Sequence, residues 1–267
     1  METGLAGRTA VVAGASQGIG RAICEAFASE AMRVVMLARD AARLTEAAAG
    51  ISARHPGADV VAIPTDVTDR GAVEAAAARV ASSHGTVHVL VCNAGNRMRP
   101  GRQITWSDED WLGDLDAKLL GMLRVIRAFD PRLPDDGSGR VVNVSGVAGS
   151  IVWETALTHG MNNAAMNHAT RYLATDLAPR RITVNAVIPG LIATEWRHDW
   201  ARESGARDGI SEEAFVDRVC RAKGILLGRW AESSEVADAV TFLASDRAAY
   251  ITGTTLTVDG GLSVNAR

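Results

Sequence analysis

Lysine and tyrosine are scarce in this chain of 267 residues, and only 4% of the residues are aromatic. Of its 28 basic residues, only Lys118 and Lys223 are lysines, and the two tyrosines are Tyr172 and Tyr250. The formal net charge of -3 provides no general attraction for nucleic acid or for an anionic membrane, so we expect neither as a partner. No run of apolar residues approaches the roughly 20 that a membrane span requires.

Cysteine is also rare, with Cys24, Cys92 and Cys220 far apart and no CxxC pair among them. An odd number of widely spaced cysteines does not suit a disulfide framework, and the first residues lack the features of a signal peptide. We therefore expect reduced thiols and a cytoplasmic location. No group of His, Cys, Asp or Glu has metal-ligand spacing, so no metal is expected, and no GxSxG or Cys–His nucleophile motif is present.

Short β-branched runs alternate with alanine-rich helical stretches along the whole chain. Because the runs are continuously apolar, they indicate strands that helices cover on both faces. Seven of them predict an α/β fold with a doubly wound parallel sheet in three layers. The expected strands are Thr9–Ala13, Arg33–Ala38, Asp59–Ile63, Val87–Val91, Arg140–Val144, Ile182–Val187 and Thr254–Val258. The expected helices are Gly18–Glu30, Asp40–Arg54, Arg70–His84, Ser107–Phe129, Glu154–Leu177 and Ser233–Ala244.

The segment 193–228 interrupts this alternation, since it is charged, contains Gly205 and Gly209, and delays the next strand. Insertions near the carboxyl ends of strands commonly cover a substrate. We therefore expect a single domain, residues 1–267, with a substrate lid at about 193–228. A mobile surface excursion is the alternative.

A glycine-rich loop follows the first expected strand and opens the first expected helix. Gly14, Gly18 and Gly20 have the spacing GxxxGxG, with Ser16, Gln17 and Ile19 between them. Glycines allow the backbone to approach a pyrophosphate, whose charge then lies at the helix N-terminus. The loop thus predicts a dinucleotide site.

The residue after the second strand distinguishes two dinucleotides. An acidic residue there accepts hydrogen bonds from the ribose of NAD, whereas a guanidinium suits the 2′-phosphate of NADP. Arg39 favours NADP(H), with Asp40 as the start of the next helix. If Asp40 binds the ribose instead, the cofactor is NAD(H), which is the less favoured interpretation.

Five motifs in chain order make the sequence resemble the short-chain dehydrogenase/reductase family over nearly its whole length. They are Ala13–Gly20 for TGxxxGIG, Asp66-Val67, Asn93-Ala94-Gly95 for NAG, Asn185–Thr194, and Gly253–Gly261. The resemblance implies a Rossmann-type fold, NAD(P) binding and a homo-oligomer, a dimer or a tetramer. The cofactor-binding residues that it implies are Gly14, Ser16, Gln17, Gly18, Ile19, Gly20, Arg39, Asp66, Val67, Asn93, Ala94, Gly95, Asn163, Pro189, Gly190, Ile192 and Thr194.

The family's Asn-Ser-Tyr-Lys catalytic tetrad is changed at every position. Alignment from both flanks places His159 where the family has Tyr, Asn163 where it has Lys, and Gly146 where it has Ser. Lys118 takes the position of the family's Asn, so the chain exchanges one ammonium and one amide between two positions. Ser145 lies one residue before the family's Ser, on a strand that is expected to direct it to the other face.

Imidazole exchanges protons near neutral pH, because its reference pKa is about 6.5. We therefore hypothesise that His159 is the general acid/base and that Lys118 tunes or orients it. A neighbouring cation lowers the pKa of an imidazole and favours its neutral form. The candidate catalytic residues are His159, Lys118, Asn163 and Ser145.

Aromatic and basic residues in the expected loops bear on the substrate. Trp153, Trp196 and Trp200 suit an apolar small molecule, aromatic or polycyclic, or they pack the lid. The arginines after the NAG motif are candidates for a carboxylate or phenolate, although such arginines are often solvated; they are Arg97, Arg99 and Arg102.

The favoured function is an NADP(H)-dependent oxidoreductase with a non-standard active site, which reduces a carbonyl or oxidises an alcohol. One alternative is a non-redox enzyme on the same scaffold, such as a lyase, dehydratase or isomerase. A second alternative is a non-catalytic NADP-binding protein.

Overall fold

The computed structural model describes residues 2–96 and 101–265. At its centre lies a seven-stranded sheet with the order β3-β2-β1-β4-β5-β6-β9, in which every pairing is parallel. Its strands are β1 (Thr9–Ala13), β2 (Arg33–Ala38), β3 (Val60–Pro64), β4 (Val89–Cys92), β5 (Arg140–Val144), β6 (Thr183–Pro189) and β9 (Thr255–Val258). The predicted doubly wound α/β fold is confirmed.

Helices cover both faces of the sheet. Those of the first half of the chain are α1 (Gly18–Ser29), α2 (Ala41–Arg54), α3 (Arg70–His84), α4 (Asp108–Leu115) and α5 (Gly121–Phe129). Those of the second half are α6 (Leu157–Leu177), α7 (Glu195–Arg207), α8 (Glu212–Lys223), α9 (Ser233–Ala244) and α10 (Leu262–Asn265).

Successive residues of each inner strand pack into two different cores. In β1, Ala10 and Val12 belong to the core that includes α1, α2 and α9, whereas Val11 and Ala13 belong to the core that includes α3, α5 and α6. Side chains alternate between the faces of a strand, so a strand with helices on both faces is apolar at every position. This burial accounts for the uninterrupted apolar runs.

Two expected helices differ in the structure. The helix expected at Ser107–Phe129 consists of α4, a π-helical segment at Asp116–Leu120, and α5. The helix expected from Glu154 begins at Leu157, because Thr155 has a φ of 65°, which a right-handed helix cannot contain. Both differences fall where predicted site residues lie.

Segment 193–228 contains α7 and α8, which pack against each other. The ring of Trp200 stacks on Trp230 at 6.0 Å and meets Phe215 edge-on at 5.0 Å. Two short strands that the sequence pattern did not indicate, β7 (Ile192–Ala193) and β8 (Ala231–Glu232), pair in parallel and join the two ends of the segment. The segment is therefore a folded helical unit with its own small apolar core.

Across residues 2–96 and 101–265, none of the helices combines the length and the apolar character that crossing a bilayer demands. The same residues contain no group of three or more His, Cys, Asp or Glu arranged to hold a metal.

Candidate active site

The strand order reverses between β1 and β4, where the connections leave the sheet towards opposite faces. In open α/β sheets, this reversal leaves a crevice at the carboxyl ends of the strands, where ligands bind. The glycine-rich loop follows β1, the NAG motif follows β4, and Ser145 follows β5. The topology therefore brings the sequence motifs to one edge of the sheet.

The glycine-rich loop packs directly on the NAG motif. Gly14 has a φ of +81°, and a Cβ added to it would lie 2.7 Å from the Ala94 backbone. The Asn93 side chain donates a hydrogen bond to the carbonyl of Gly14 at 2.9 Å. No side chain in the described chain caps the N-terminus of α1, and its first turn has no acidic residue. Its N–H groups therefore suit a phosphate, and the loop fits a dinucleotide.

The residues after β2 separate the roles of Arg39 and Asp40. The Asp40 carboxylate accepts a hydrogen bond from the Arg43 backbone N–H at 3.0 Å and so caps α2. Arg39 is exposed, as a guanidinium that meets a phosphate from solvent needs to be. Arg43, which sequence reasoning missed, donates to the Gln17 side chain at 2.7 Å. Ser16, Gln17 and Arg43 line a second cavity beside the loop.

The pair Asp66-Val67 follows β3 at the same edge of the sheet. Burial raises the pKa of Asp66, but hydrogen bonds from the Thr68 N–H and hydroxyl, together with the charge of Arg39, lower it below its usual value overall. Val67 packs on Gly121, where a Cβ would lie 2.8 Å from its side chain. The contact of Val67 therefore joins the loop after β3 to the start of α5.

The later motifs meet the glycine-rich loop from the opposite side. A Cβ added to Gly18 would lie 3.2 Å from the Thr194 methyl group, which places Thr194 against the loop. A Cβ on Gly190 would lie 2.7 Å from Cα of Asp259, so the segments 185–194 and 253–261 also touch. Gly20 packs against Gly14 and Asn93.

A cavity of about 240 Å³ opens between these segments and α7. The structure thus brings together candidates from α1, the π-helical segment, α6, and the ends of β4, β5 and β6. The predicted residues that line it are Ile19, Asn93, Lys118, Ser145, His159, Pro189, Gly190, Ile192 and Thr194.

Lys118 lies at the centre of the π-helical segment and is only 7% exposed. Its ammonium is 3.5 Å from the Ser145 carbonyl and packs beside Gly95. None of the described carboxylates forms an ion pair with it, and burial lowers its pKa to about 8. π-helical insertions are frequent at functional sites. Here the π-helical turn carries an ammonium that lines the cavity.

His159 lies in the first turn of α6, partly buried, and faces the same cavity. Burial, then the charge of Lys118, then that of Arg197 lower its pKa to about 3. The imidazole is therefore neutral at physiological pH. The direction agrees with the expected effect of Lys118, but a pKa this low leaves little imidazolium to act as an acid.

A buried polar network fixes the turn of α6 that carries His159. The Thr158 backbone N–H donates to the Gln103 side chain at 2.9 Å, which replaces a missing helix cap. The Thr158 hydroxyl donates to Asp114 at 2.7 Å, and Asp114 also accepts a hydrogen bond from Asn96 at 3.2 Å. Asn96 itself lines the cavity. Sequence reasoning missed Gln103 and Asp114, because these partners are more than 40 residues from Thr158.

Asn163 is fully buried, and neither polar atom of its amide finds a hydrogen-bond partner in the described chain. Buried amides without partners are rare and commonly meet a ligand or an ordered water. The Ser145 hydroxyl approaches the Val187 carbonyl at 3.5 Å, so it is the Ser145 carbonyl that contacts Lys118.

Only some of the aromatic and basic candidates line the cavity in the structure. Trp153 and Trp196 line the cavity, whereas Trp200 packs within the helical unit. Arg102 is exposed, and Arg97 and Arg99 lie outside the described residues. Sequence reasoning missed Arg197, which also lines the cavity.

Comparison with known proteins agrees with this geometry. A family model described as enoyl-(acyl carrier protein) reductase matches residues 14–263. The oxidoreductase UcpA of Salmonella typhimurium is 34% identical over 260 residues, which are 96% of this chain and 95% of UcpA.

Solved structures are similar over almost the whole chain. L-sorbose reductase of Gluconobacter frateurii, complexed with NADPH and L-sorbose, has a TM-score of 0.92 at 30% identity and covers 98% of this chain and 99% of its own. A short-chain oxidoreductase of Pseudomonas aeruginosa PAO1, NADPH-bound and with an atypical catalytic centre, has a TM-score of 0.88 at 32% identity and covers 97% and 98%. The chain belongs to the short-chain dehydrogenase/reductase family.

Proposed function

We propose that this protein is an NADP(H)-dependent oxidoreductase that interconverts a carbonyl and an alcohol through Lys118 and His159. The main support is that the Lys118 and His159 side chains line the same cavity. An ammonium and an imidazole face one cavity beside Pro189, Gly190 and Thr194. That segment resembles the one with which the family holds the nicotinamide.

The cofactor is NADP(H). The similar proteins from Gluconobacter frateurii and Pseudomonas aeruginosa are NADPH complexes. In this chain, Arg39 is exposed at the end of β2, and the Asp40 carboxylate is engaged in capping α2. We assign the 2′-phosphate to Arg39, the pyrophosphate to the N-terminus of α1, and the nicotinamide riboside to the surroundings of Asn93, Asn163 and Thr194.

The proton roles follow from the two pKa values. A group exchanges protons best when its pKa is near the working pH. Lys118, with a pKa of about 8, meets that condition, whereas His159, with a pKa of about 3, does not. We therefore assign proton storage to Lys118 and a hydrogen bond to the reacting oxygen to His159, which revises the role expected for His159.

NADPH held as assigned above would supply the hydride for reduction. Lys118 delivers a proton to the carbonyl oxygen, and the neutral imidazole of His159 orients that oxygen through its N–H. In the oxidative direction, the neutral amine of Lys118 accepts the hydroxyl proton. The Trp153 and Trp196 side chains flank the apolar body of the substrate. The helical unit at 193–228 covers it.

The test is NADPH oxidation with a panel of aromatic ketones and quinones, followed at 340 nm. Lys118→Met and His159→Phe are compared with wild type, and Arg79→Met, an exposed change on α3, is the control. Loss of one acid/base group lowers kcat by about 10²–10⁴-fold. If wild type turns over and Lys118→Met matches it, the assigned role is wrong.

Two further outcomes select the other functions. Substrate loss without NADPH oxidation indicates a lyase, dehydratase or isomerase on this scaffold. NADPH binding without any turnover on the panel contradicts the oxidoreductase and favours a non-catalytic NADP-binding protein.

A further inference from the structure

The cavity contains a second cation that the proposed reaction does not use. Arg197 is the third residue of α7 and lines the cavity. Its guanidinium lies 4.7 Å from the centre of the Trp196 ring and 5.4 Å from that of Trp200. Burial lowers the pKa of Arg197 to about 10, so it stays charged at neutral pH.

Arg197 has no counter-charge in the residues that the structure describes. The lining of the cavity there includes Lys118, His159 and Arg197 but no Asp or Glu. Three other arginines of the helical unit form ion pairs: Arg202 with Asp199, Arg218 with Asp208, and Arg221 with Asp217. Arg197 is partly buried, and a guanidinium in such a site is stabilised when an anion in the cavity pairs with it.

Arg197 lines the cavity of Lys118 and His159 but not the second cavity beside the glycine-rich loop. Trp200, on which its guanidinium rests, packs on Phe215 of the helical unit and on Trp230, which follows the unit. The positive charge of Arg197 also contributes to the lowered pKa of His159. Arg197 therefore acts at the reacting end of the cavity, on the side that the helical unit covers.

We propose that Arg197 binds a carboxylate of the substrate, so that the protein acts on an aromatic or apolar oxo- or hydroxy-acid. A planar guanidinium pairs with a carboxylate through two parallel hydrogen bonds, which fixes the orientation of the ligand as well as its charge. Trp153 and Trp196 contact the apolar body, and the carbonyl or hydroxyl lies at Lys118 and His159. This inference rests on the proposed function.

Binding tests the anion site without turnover. Calorimetry measures the affinity of 2-naphthoate and of its neutral analogue 2-naphthamide for the NADP⁺-loaded protein. We expect naphthoate to bind at least about 10-fold tighter, Arg197→Met to abolish that preference, and Arg197→Lys to retain part of it. Arg202→Met, on the same helix, serves as the control. Equal binding of the two probes to wild type, or an unchanged preference in Arg197→Met, overturns the proposal.

Two measurements keep the outcomes distinct. The NADPH affinity of Arg197→Met shows whether the guanidinium binds the cofactor. If this variant loses NADPH affinity but keeps the naphthoate preference, Arg197 binds a cofactor phosphate and the proposal is overturned. Turnover of 4-acetylbenzoate against its methyl ester separates this inference from the proposed function. If the acid and the ester are turned over with equal kcat/KM, the carboxylate site is contradicted but the oxidoreductase is not. If neither is turned over and wild type still prefers naphthoate, the oxidoreductase is contradicted but the carboxylate site is not. Thermal unfolding of each variant identifies any that fail to fold.

Discussion

Gly146 lies against the amide of Asn163, so closely that a Cβ at position 146 would be 2.8 Å from the Asn163 amide nitrogen. Asn163 is fully buried and has little room to withdraw. The motif alignment predicts that these are two of the positions at which the chain departs from the family tetrad. Glycine at 146 and the amide at 163 therefore form one packing arrangement, and we expect substitutions at the two positions to depend on each other.

This contact predicts a measurable coupling. We expect Gly146→Ala to destabilise the protein by about 1–3 kcal/mol, because the added methyl group overpacks the site. Asn163→Ala removes the obstructing amide, so the double variant is more stable than the sum of the two single changes implies. Urea unfolding of the four proteins at pH 7 measures the coupling. Additive effects within about 0.5 kcal/mol would contradict it.

Lys118 is predicted to destabilise the fold that holds it. Below pH 8, both the folded and the unfolded chain carry the proton, and the fold bears the full penalty of burying an ammonium whose pKa is lowered to about 8. The unfolded chain loses its proton only near 10.5, so wild-type stability rises relative to Lys118→Met between these values. We expect Lys118→Met to be more stable by up to about 3 kcal/mol at pH 7.

Urea unfolding at pH 7 and pH 10 measures that difference. Lys223→Met, which removes the other lysine from a less buried position over the Trp153 ring, is the control. A gain at pH 7 that does not shrink at pH 10 would mean that packing rather than charge is responsible.

The fold was predictable from sequence because a strand that is buried on both faces has a continuous apolar run, as in Val34–Leu37. The glycine-rich loop was predictable for a similar reason, since its geometry depends on Gly14, Gly18 and Gly20 within one short stretch. In both cases the structural feature depends on residues that are close together in the sequence.

The environment of the site was not predictable in the same way. The pKa of His159 depends on burial and on charges from Lys118 and Arg197, which come from separate parts of the chain. The motif alignment predicts which residues form the site, but their charge states depend on the packed structure. The π-helical turn at Lys118 likewise leaves no signal in a helical sequence pattern.

His159 is expected to make the protein acid-sensitive. The pKa of His159 is lowered to about 3 in the folded protein. Between about pH 6.5 and pH 3, the imidazole is therefore protonated in the unfolded chain but not in the folded chain. His159→Gln should therefore gain about 2 kcal/mol relative to wild type as the pH falls from 7 to 4.5. Urea unfolding at the two pH values measures this gain, with the exposed His168→Gln on the same helix as the control. An unchanged difference would contradict a neutral buried imidazole.

Arg39 and Asp40 are adjacent, and their variants separate cofactor choice from helix capping. Arg39→Ala should raise the KM for NADPH at least about 10-fold and leave that for NADH nearly unchanged, because the guanidinium meets only the 2′-phosphate. Asp40→Ala should leave both KM values near wild type and destabilise the protein by about 1 kcal/mol, since its carboxylate caps α2. Steady-state kinetics with both cofactors and thermal unfolding test the pair. The assignment is reversed if Asp40→Ala impairs NADH use while Arg39→Ala does not affect NADPH, because Asp40 then binds the ribose.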